Sequence, residues 1–331
     1  MSGRDASVLI VLAAYNGARF IGAQIESIRA QTWREWRLLV RDDGSSDATL
    51  SIVRHFAEKD HRITVLEPDG LRAGPWGNFG ILMQHGVAAG CEYLLLSDQD
   101  DVWVPDKIER SLMVLQAREK ARGHAGPVLV HSDLKVVDDE LRPIFASYRA
   151  HQRVLYDRVE PLRTLLLHNA PMGCTIAVNR ALMDFALPLP AQVPHDWWLA
   201  QCAAATGDVL DIPDALVLYR QHGGNVVGST AARTLLRRVL GNPVTSVPRL
   251  LRSFRAGLRQ ATELSRRVSE KPAAVPPSRA SAVHAYAAAF QTLNPVRRLA
   301  LLASSGVRPQ RAVSHPIFYA LAMLQPRLAR N

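Results

Sequence analysis

The first hundred residues alternate between short apolar runs and longer stretches with helical spacing, and this alternation restricts the possible folds most. The runs at 8–14 (VLIVLAA) and 93–96 (YLLL) are short and apolar, as buried strands are. Between such runs, residues like Phe20, Ile25 and Ile28 recur at the spacing of one helix face. Strands that alternate with helices predict an α/β fold, with a mainly parallel sheet and helices on both faces.

Polar residues follow three of the predicted strands at the point where each strand ends. Ligands of such sheets bind beyond the carboxyl ends of the strands. These strand-end residues should therefore converge on one edge of the sheet and form a site. They are Tyr15 and Asn16, Asp42 and Asp43, and Asp98, Gln99 and Asp100.

The last of these groups, LLLSDQDDVW at 94–103, places Asp98, Asp100 and Asp101 within four positions. Carboxylates this close raise the cost of ionising one another. A positive partner or water must offset the repulsion, and a divalent cation such as Mg²⁺ or Mn²⁺ prefers oxygen ligands of this kind. The cluster predicts a metal site, and a solvated polar turn is the alternative.

The charge is unevenly distributed along the 331 residues, whose formal net charge is +10. Residues 229–331 hold 17 Lys and Arg against two acids, a net of +15, so residues 1–228 carry a net of −5. This asymmetry predicts a main domain at 1–228 and a separate basic tail, with helical spacing, at 229–331. It argues against nucleic acid as the partner of the whole protein and for an anionic partner of the tail.

The tail contains a candidate membrane-surface helix. Residues 247–268 place Val247, Leu258 and Val268 near one face, with arginines around the rest. Such a helix can lie in the interface of an anionic membrane. We find no signal peptide and no apolar run of about 20 residues. Together with the sparse cysteines, this predicts a cytoplasmic protein, peripheral on the inner face of the plasma membrane.

The chain contains five motifs in the following order: LAAYNG, RDDGSSDAT, SDQDDVWVPDKI, PHDWW and YRQHGGN. Together they resemble the family 2 inverting glycosyltransferases, which have the GT-A fold. The likeness covers about residues 7–228, and the motifs SDQDDVW, HDWW and YRQH are similar to those of the rhamnosyltransferase-like branch. The resemblance implies transfer of a sugar from a nucleoside-diphosphate donor, a dTDP-rhamnose or a UDP-sugar, to a cell-surface polysaccharide or lipid-linked glycan.

The resemblance also implies a role for each acid of the cluster. Asp100 matches the metal ligand, Asp98 matches a contact to ribose or sugar hydroxyls, and the role of Asp101 stays open. His222, in YRQHGGN, matches the histidine that completes the metal or diphosphate site, or is a loop histidine before a Gly-Gly turn.

The donor site should use residues from several motifs. Asp42 or Asp43 would accept the imide N–H of uracil or thymine, unless the pair only forms a turn with Gly44. Tyr15 and Asn16 would flank the base, unless Asn16 and Gly17 only form a turn. Two further candidates are Arg220, which can bind phosphate bidentately, and Asn78.

Inversion by one direct displacement needs a carboxylate base opposite the leaving group. Asp196, at the start of a predicted helix, is the candidate, and a helix N-terminal acid is the alternative. Trp197 is placed on the acceptor side, and His195 is a structural or an acceptor-side residue. If Asp196 is not the base, Asp133 or Asp138 is next.

Two other classes of function stay open at this point. A sugar-phosphate nucleotidyltransferase also combines a parallel sheet, acids and a metal, but it needs a Gly-rich basic loop after the first strand, where AAYNGARF offers only Arg19. An inactive binding module at a membrane surface would have no use for the intact acids. A dinucleotide-binding site is disfavoured because the spacing Gly-x-Gly-x-x-Gly is missing.

Overall fold

The chain forms two compact units in a computed structural model. The first lies within Met1–Val154, Pro171–Leu199 and Asp208–Thr230, and the second within Leu155–Ala170, Ala200–Gly207 and Ala231–Asn331. The predicted domain boundary after residue 228 lies outside the described residues and stays a prediction. The structure describes residues 7–67, 70–123, 126–152, 157–191, 193–222 and 243–309, with side chains of the last range from 257 onward.

One sheet organises the first unit. Among the described residues its strand order is β3-β2-β1-β4-β8-β6-β9-β5, and β7 pairs with β6. The strands are β1 (Val8–Ala14), β2 (Trp36–Asp42), β3 (Ile63–Leu66), β4 (Tyr93–Asp98), β5 (Val102–Trp103), β6 (Val128–Val137), β7 (Pro143–Phe145), β8 (Ile176–Asn179) and β9 (Asp208–Arg220).

Helices cover this sheet where the sequence has helical spacing. Helix α1 buries Ile21, Ile25 and Ile28 in the core that also receives alternate residues of β1 and β2. The helices before β9 are α1 (Ile21–Arg29), α2 (Thr49–Lys59), α3 (Gly74–Ala88), α4 (Lys107–Arg122), α5 (Tyr148–Gln152), α6 (Leu162–Leu165), α7 (Arg180–Ala186) and α8 (His195–Thr206).

The predicted α/β architecture with a mainly parallel sheet is confirmed, and the sheet also contains antiparallel strands. Strands β3, β2, β1 and β4 run parallel, whereas β8 is antiparallel to both β4 and β6. One long strand, β9, runs parallel to β6, with irregular register around Asp133.

The order of the first four strands fixes the position of the site. β1 is followed on one side by β2 and β3, and on its other side by β4. The connection therefore reverses direction between β1 and β4, and ligands of open α/β sheets bind at such a reversal. Tyr15 directly follows β1, and Asp98 ends β4. The prediction that these strand ends share one edge is confirmed.

The second unit contains α9 (Pro243–Glu270), α10 (Pro277–Ala289) and α11 (Pro295–Ser305). The helix predicted at 247–268 is confirmed within α9. Its apolar residues Leu258, Ala261 and Val268 are buried, because α9 packs against α10. The expectation that this face enters lipid is corrected for the part with described side chains. None of the described helices combines the length and apolarity needed to cross a membrane.

Candidate active site

Three carboxylates at the end of β4 lie near a fourth carboxylate from the start of α8. Asp98, Asp100 and Asp101 lie on the strand and the following turn, and Asp196 lies in the first turn of α8. Burial, followed by repulsion from the carboxylates of Asp100 and Asp196, raises the pKa of Asp98 to about 7. The helix that carries the candidate base is thus close to the candidate donor site.

His222 joins the same cluster from the end of β9. Its Nε2 lies 2.9 Å from Oδ2 of Asp100, although the two residues are 122 positions apart. The ring of Phe20, at the start of α1, packs 5.0 Å from the His222 ring. The two residues matched to a metal site by sequence therefore contact each other, and one of them is oriented by an aromatic neighbour.

Behind these groups lies a second, buried layer. Oxygen and sulfur atoms of Asp98, Asp101 and Cys174 lie within 4.8 Å of one another. Burial and repulsion from Asp100 and Asp98 raise the pKa of Asp101 well above its usual value. Burial lowers the pKa of the nearby Lys107 to about 8, whereas attraction to Cys174 and Asp101 acts in the opposite direction. A buried lysine therefore supplies positive charge beneath the acids.

The two layers differ in how well they fit a hard divalent cation. Asp100 and His222 are partly exposed and offer an oxygen and an imidazole nitrogen, donors that Mn²⁺ accepts. In the buried layer, burial raises the pKa of Cys174 well above its usual value, so its thiol resists the deprotonation that metal binding requires. The pair of Asp100 and His222, with Asp98 beside it, fits the ion better.

The loop after β1 uses its backbone amides within the protein. The N–H groups of residues 15, 16, 17 and 18 donate to the side chains of Gln99, Ser45, Thr49 and Asp47. Oδ1 of Asn16 accepts the N–H of Ser46. A phosphate-binding loop needs such amides free. This geometry disfavours the nucleotidyltransferase alternative. Asn16 connects the loop after β1 with the loop after β2.

The two acids after β2 are both buried and hydrogen-bonded. Asp42 accepts the N–H groups of Gly44 and Ser45, which is the turn that the sequence left open as an alternative. Asp43 pairs with Arg41 at 2.8 Å and accepts the N–H groups of residues 73 and 74 at the start of α3. These contacts make the turn rigid beside Tyr15, which is 45% exposed.

Three predicted site residues have other surroundings than expected. Asn78 is buried. Its Oδ1 accepts a hydrogen bond from the Arg41 guanidinium, and its Nδ2 donates to the Arg41 carbonyl, so it holds Arg41 and does not face a donor. The guanidinium of Arg220 is buried, donates to the carbonyl of Asp139 and packs over Phe20, which leaves it poorly placed for a diphosphate. The position of Asn78 follows from the phase of α3, and that of Arg220 from its packing against Phe20, directly before α1.

His195 is the third predicted site residue with other surroundings than expected. It is buried and stacks on Phe79 with ring centroids 4.1 Å apart, so it is not available to an acceptor. Burial lowers its pKa. Trp198 is fully buried, and its Nε1 donates to the carbonyl of Ala186, whereas Trp197 is only partly buried. Trp197 thus keeps the exposure that an acceptor contact requires.

Asp196 is held by its own helix. Its Oδ1 accepts the N–H of Trp197 at 2.7 Å. The two reserve candidates for the base have structural partners instead. Asp133 bonds the N–H groups of residues 134 and 149, and Asp138 pairs with Arg142 at 2.7 Å. Asp196 remains the best placed of the three.

Part of the chain matches a known family. The family model described as "Glycosyl transferase family 2" matches residues 9–163. These residues carry the glycosyl transferase family 2 pattern over slightly less than half of the chain. The matched segment runs from β1 to α6 and includes the acids of β4, whereas Asp196 and His222 lie beyond it.

Curated relatives of this glycosyltransferase have named activities. WfgD of Escherichia coli, a UDP-Glc:alpha-D-GlcNAc-diphosphoundecaprenol beta-1,3-glucosyltransferase, is 26% identical over 59% of this chain and 70% of its own length. The dTDP-rhamnosyl transferase RfbG of Shigella flexneri is 27% identical over 66% of this chain and 74% of its own length. The protein is therefore an enzyme that uses nucleotide sugars.

Solved structures show the same fold. TarS (residues 1–349) of S. aureus, in complex with UDP-GlcNAc, matches with a TM-score of 0.51 and 14% identity, covering 98% of this chain and 92% of that one. The mannosyltransferase PcManGT from Pyrobaculum calidifontis, in complex with GDP-Man and Mn²⁺, matches with a TM-score of 0.50 and 21% identity, covering 98% and 82%. At these identities the likeness establishes the GT-A fold alone.

Sequence reasoning missed several residues of the site. Arg41 and Lys107 are buried charges, which apolar periodicity does not reveal. Arg72 donates to the carbonyl of Gly44 and lies 5.4 Å from the Tyr15 ring, but it comes from a loop without a motif. The sequence places Gln99 at this edge of the sheet but assigns it no role of its own.

Proposed function

We propose that this glycosyltransferase moves one sugar from a uridine or thymidine diphosphate donor to an acceptor hydroxyl, with inversion at the anomeric carbon. The observation that carries the proposal is the meeting of Asp98, Asp100, Asp196 and His222 at the reversal point of the sheet. Acids of this density need a positive partner, and a diphosphate does not supply one.

The nucleoside would lie beside Tyr15 and the turn at Asp42 and Asp43. The imide N–H of uracil and of thymine is the same donor, so a carboxylate of that turn accepts either base, whereas adenine and cytosine offer no such N–H. Asp98 would meet the ribose or sugar hydroxyls. Both dTDP-rhamnose and UDP-sugars satisfy this chemistry, in line with the donors named for RfbG and WfgD.

Asp100 and His222 would hold Mg²⁺ or Mn²⁺. When bound, the ion supplies positive charge against the diphosphate as its bond to the sugar breaks. Asp98, the last residue of the buried strand β4, and Asp100, two positions after it, would also fix the position of the donor.

Asp196 would act as the base on the opposite side of the sugar. The acceptor oxygen forms its bond to the anomeric carbon while its proton passes to Asp196. The bond from that carbon to the diphosphate oxygen breaks, and the electron pair leaves with the nucleoside diphosphate. A single displacement of this kind inverts the configuration. Trp197 would present its ring to the acceptor.

We further propose that the acceptor is a cell-surface or lipid-linked glycan, met at the cytoplasmic face of the membrane. The support is the net charge of +15 of residues 229–331. In the second unit, Val296 and Leu299 of α11 are 75% and 42% exposed beside the exposed Arg297. An exposed apolar pair with basic neighbours fits an anionic lipid surface.

A donor panel tests the proposal. UDP-glucose, UDP-GlcNAc, dTDP-rhamnose and GDP-mannose are incubated with the protein and Mn²⁺, and release of the nucleoside diphosphate is measured. We expect release from uracil or thymine donors and its loss in EDTA. Release from GDP-mannose alone would exclude the base assignment, and full activity in EDTA would exclude the metal.

A further inference from the structure

The residue between the two strand-end acids, Gln99, is hydrogen-bonded twice to one backbone unit. Its Oε1 accepts the N–H of Tyr15 at 2.8 Å, and its Nε2 donates to the carbonyl of Tyr15 at 2.9 Å. Tyr15 lies 84 positions earlier in the chain. We call this pair of hydrogen bonds the Gln99–Tyr15 clamp.

The clamp continues the sheet where its backbone pairing stops. The last paired residues of β1 and β4 are Ala13 and Asp98. Beyond them the chains separate, and a side-chain amide takes the place of the next backbone partner. Gln99 directly follows the last residue of β4, and its side chain reaches the loop after β1. The next residue, Asp100, contacts His222 instead.

The Gln99–Tyr15 clamp also leaves no room for a side chain at position 17. A Cβ on Gly17 would lie 2.3 Å from Oε1 and 2.4 Å from Cδ of Gln99. Real Cβ contacts are not this short, and the amide cannot move aside without losing its bonds to Tyr15. The glycine at this position is thus explained by the Gln99 side chain. Asn16, beside it, has a positive φ of 46° that also favours a tight turn.

We infer that Gln99 is a positioning residue that sets the distance between the nucleoside-binding side chain Tyr15 and the metal-binding acids. Removing the Gln99 amide should increase the mobility of Tyr15 while leaving Asp98 and Asp100 in place. The inference rests on the proposed donor site. It predicts weaker donor binding with little effect on the chemical step, because Gln99 acts through Tyr15.

The first test uses Gln99→Met, which keeps the length of the side chain and removes both hydrogen bonds. Donor hydrolysis is followed as nucleoside diphosphate release with Mn²⁺. We expect the donor KM to rise about tenfold, the affinity equivalent of one or two hydrogen bonds. We expect kcat to stay within about twofold. The matched control is Gln291→Met, at an exposed position of the second unit, which should change neither constant.

The second test uses Gly17→Ala alone, Gln99→Ala alone and the two together. Gly17→Ala should raise KM because its Cβ displaces the Gln99 amide. In the double variant that amide is gone, so KM should rise no further than in Gln99→Ala. An unchanged KM in Gln99→Met, or additive effects in the double variant, would overturn the inference. Thermal unfolding of each variant shows whether it is folded.

Failure of the clamp and failure of the proposed function are distinguishable. If the parent protein turns over no donor, the transfer reaction is wrong, and binding of UDP and dTDP is then measured by calorimetry on the same variants. Binding by the parent with no difference in Gln99→Met would reject the clamp alone. No binding of either nucleotide by the parent would reject both.

Discussion

Substituting the candidate base, Asp196→Asn, tests the proposed chemistry most directly. Oδ1 of the carboxylate accepts the N–H of Trp197 at 2.7 Å, and the amide oxygen of asparagine can accept the same N–H. The start of α8 should therefore stay intact. What the amide cannot do is accept the acceptor's proton. General-base catalysis contributes about 100-fold to 10,000-fold, so we expect a loss of about 1,000-fold, or about 4 kcal/mol in the barrier.

Donor binding should change in the opposite direction, if at all. Asp196 is one of the two carboxylates whose repulsion helps to raise the pKa of Asp98. Removing its charge favours the ionised form of Asp98, so affinity for donor and Mn²⁺ should be equal or slightly higher.

The assay pairs the single-turnover rate of nucleoside diphosphate release with the Kd of the donor. Asp184→Asn, an exposed acid of α7 paired with Arg180, is the matched control. A rate within about tenfold of the parent rate would show that the base lies elsewhere. Loss of donor binding would show that Asp196 is a binding residue instead.

Three further outcomes are expected. Asp100→Ala should abolish Mn²⁺-dependent donor binding in calorimetry while the unfolding temperature stays near that of the parent; retained Mn²⁺ dependence would place the metal elsewhere. Asp60→Asn should lower the free energy of unfolding in urea by about 2 kcal/mol at pH 7, because the buried carboxylate bonds Arg62 at 2.7 Å and 2.9 Å. Hydrogen bonds from Arg62 hold the pKa of Asp60 below its usual 3.8, so this stabilisation is present above pH ~4 and is lost as the pH falls below it; a difference that persists at low pH would contradict this cause. Leu299→Glu should reduce flotation of the full chain on anionic vesicles, whereas Met113→Glu, also exposed but in the first unit, should not; equal flotation of both would remove α11 from the membrane surface.

The sequence alone determined the local elements and the position of the site along the chain. Apolar runs such as β1 and β4 are buried on both faces of the sheet, so their composition identifies them without any tertiary information. The acids after β4 mark the end of the strand because a buried apolar run does not extend through a cluster of charged residues. Since parallel strands end at one edge of a sheet, the sequence alone places Tyr15 and Asp98 close together.

The tertiary structure decided which of these residues can act. Asn78 and His195 occupy motif-like positions, but the phases of α3 and α8 turn them inward, and helix phase depends on packing partners from elsewhere in the chain. The long strand β9 brings His222 to Asp100 across 122 positions, a contact that no local pattern encodes. Gln99 gained its role only when β1 and β4 became neighbours. The physical reason is the same in each case: a local pattern records what a residue needs, burial or water, whereas the partner that satisfies this need is set by how distant segments pack.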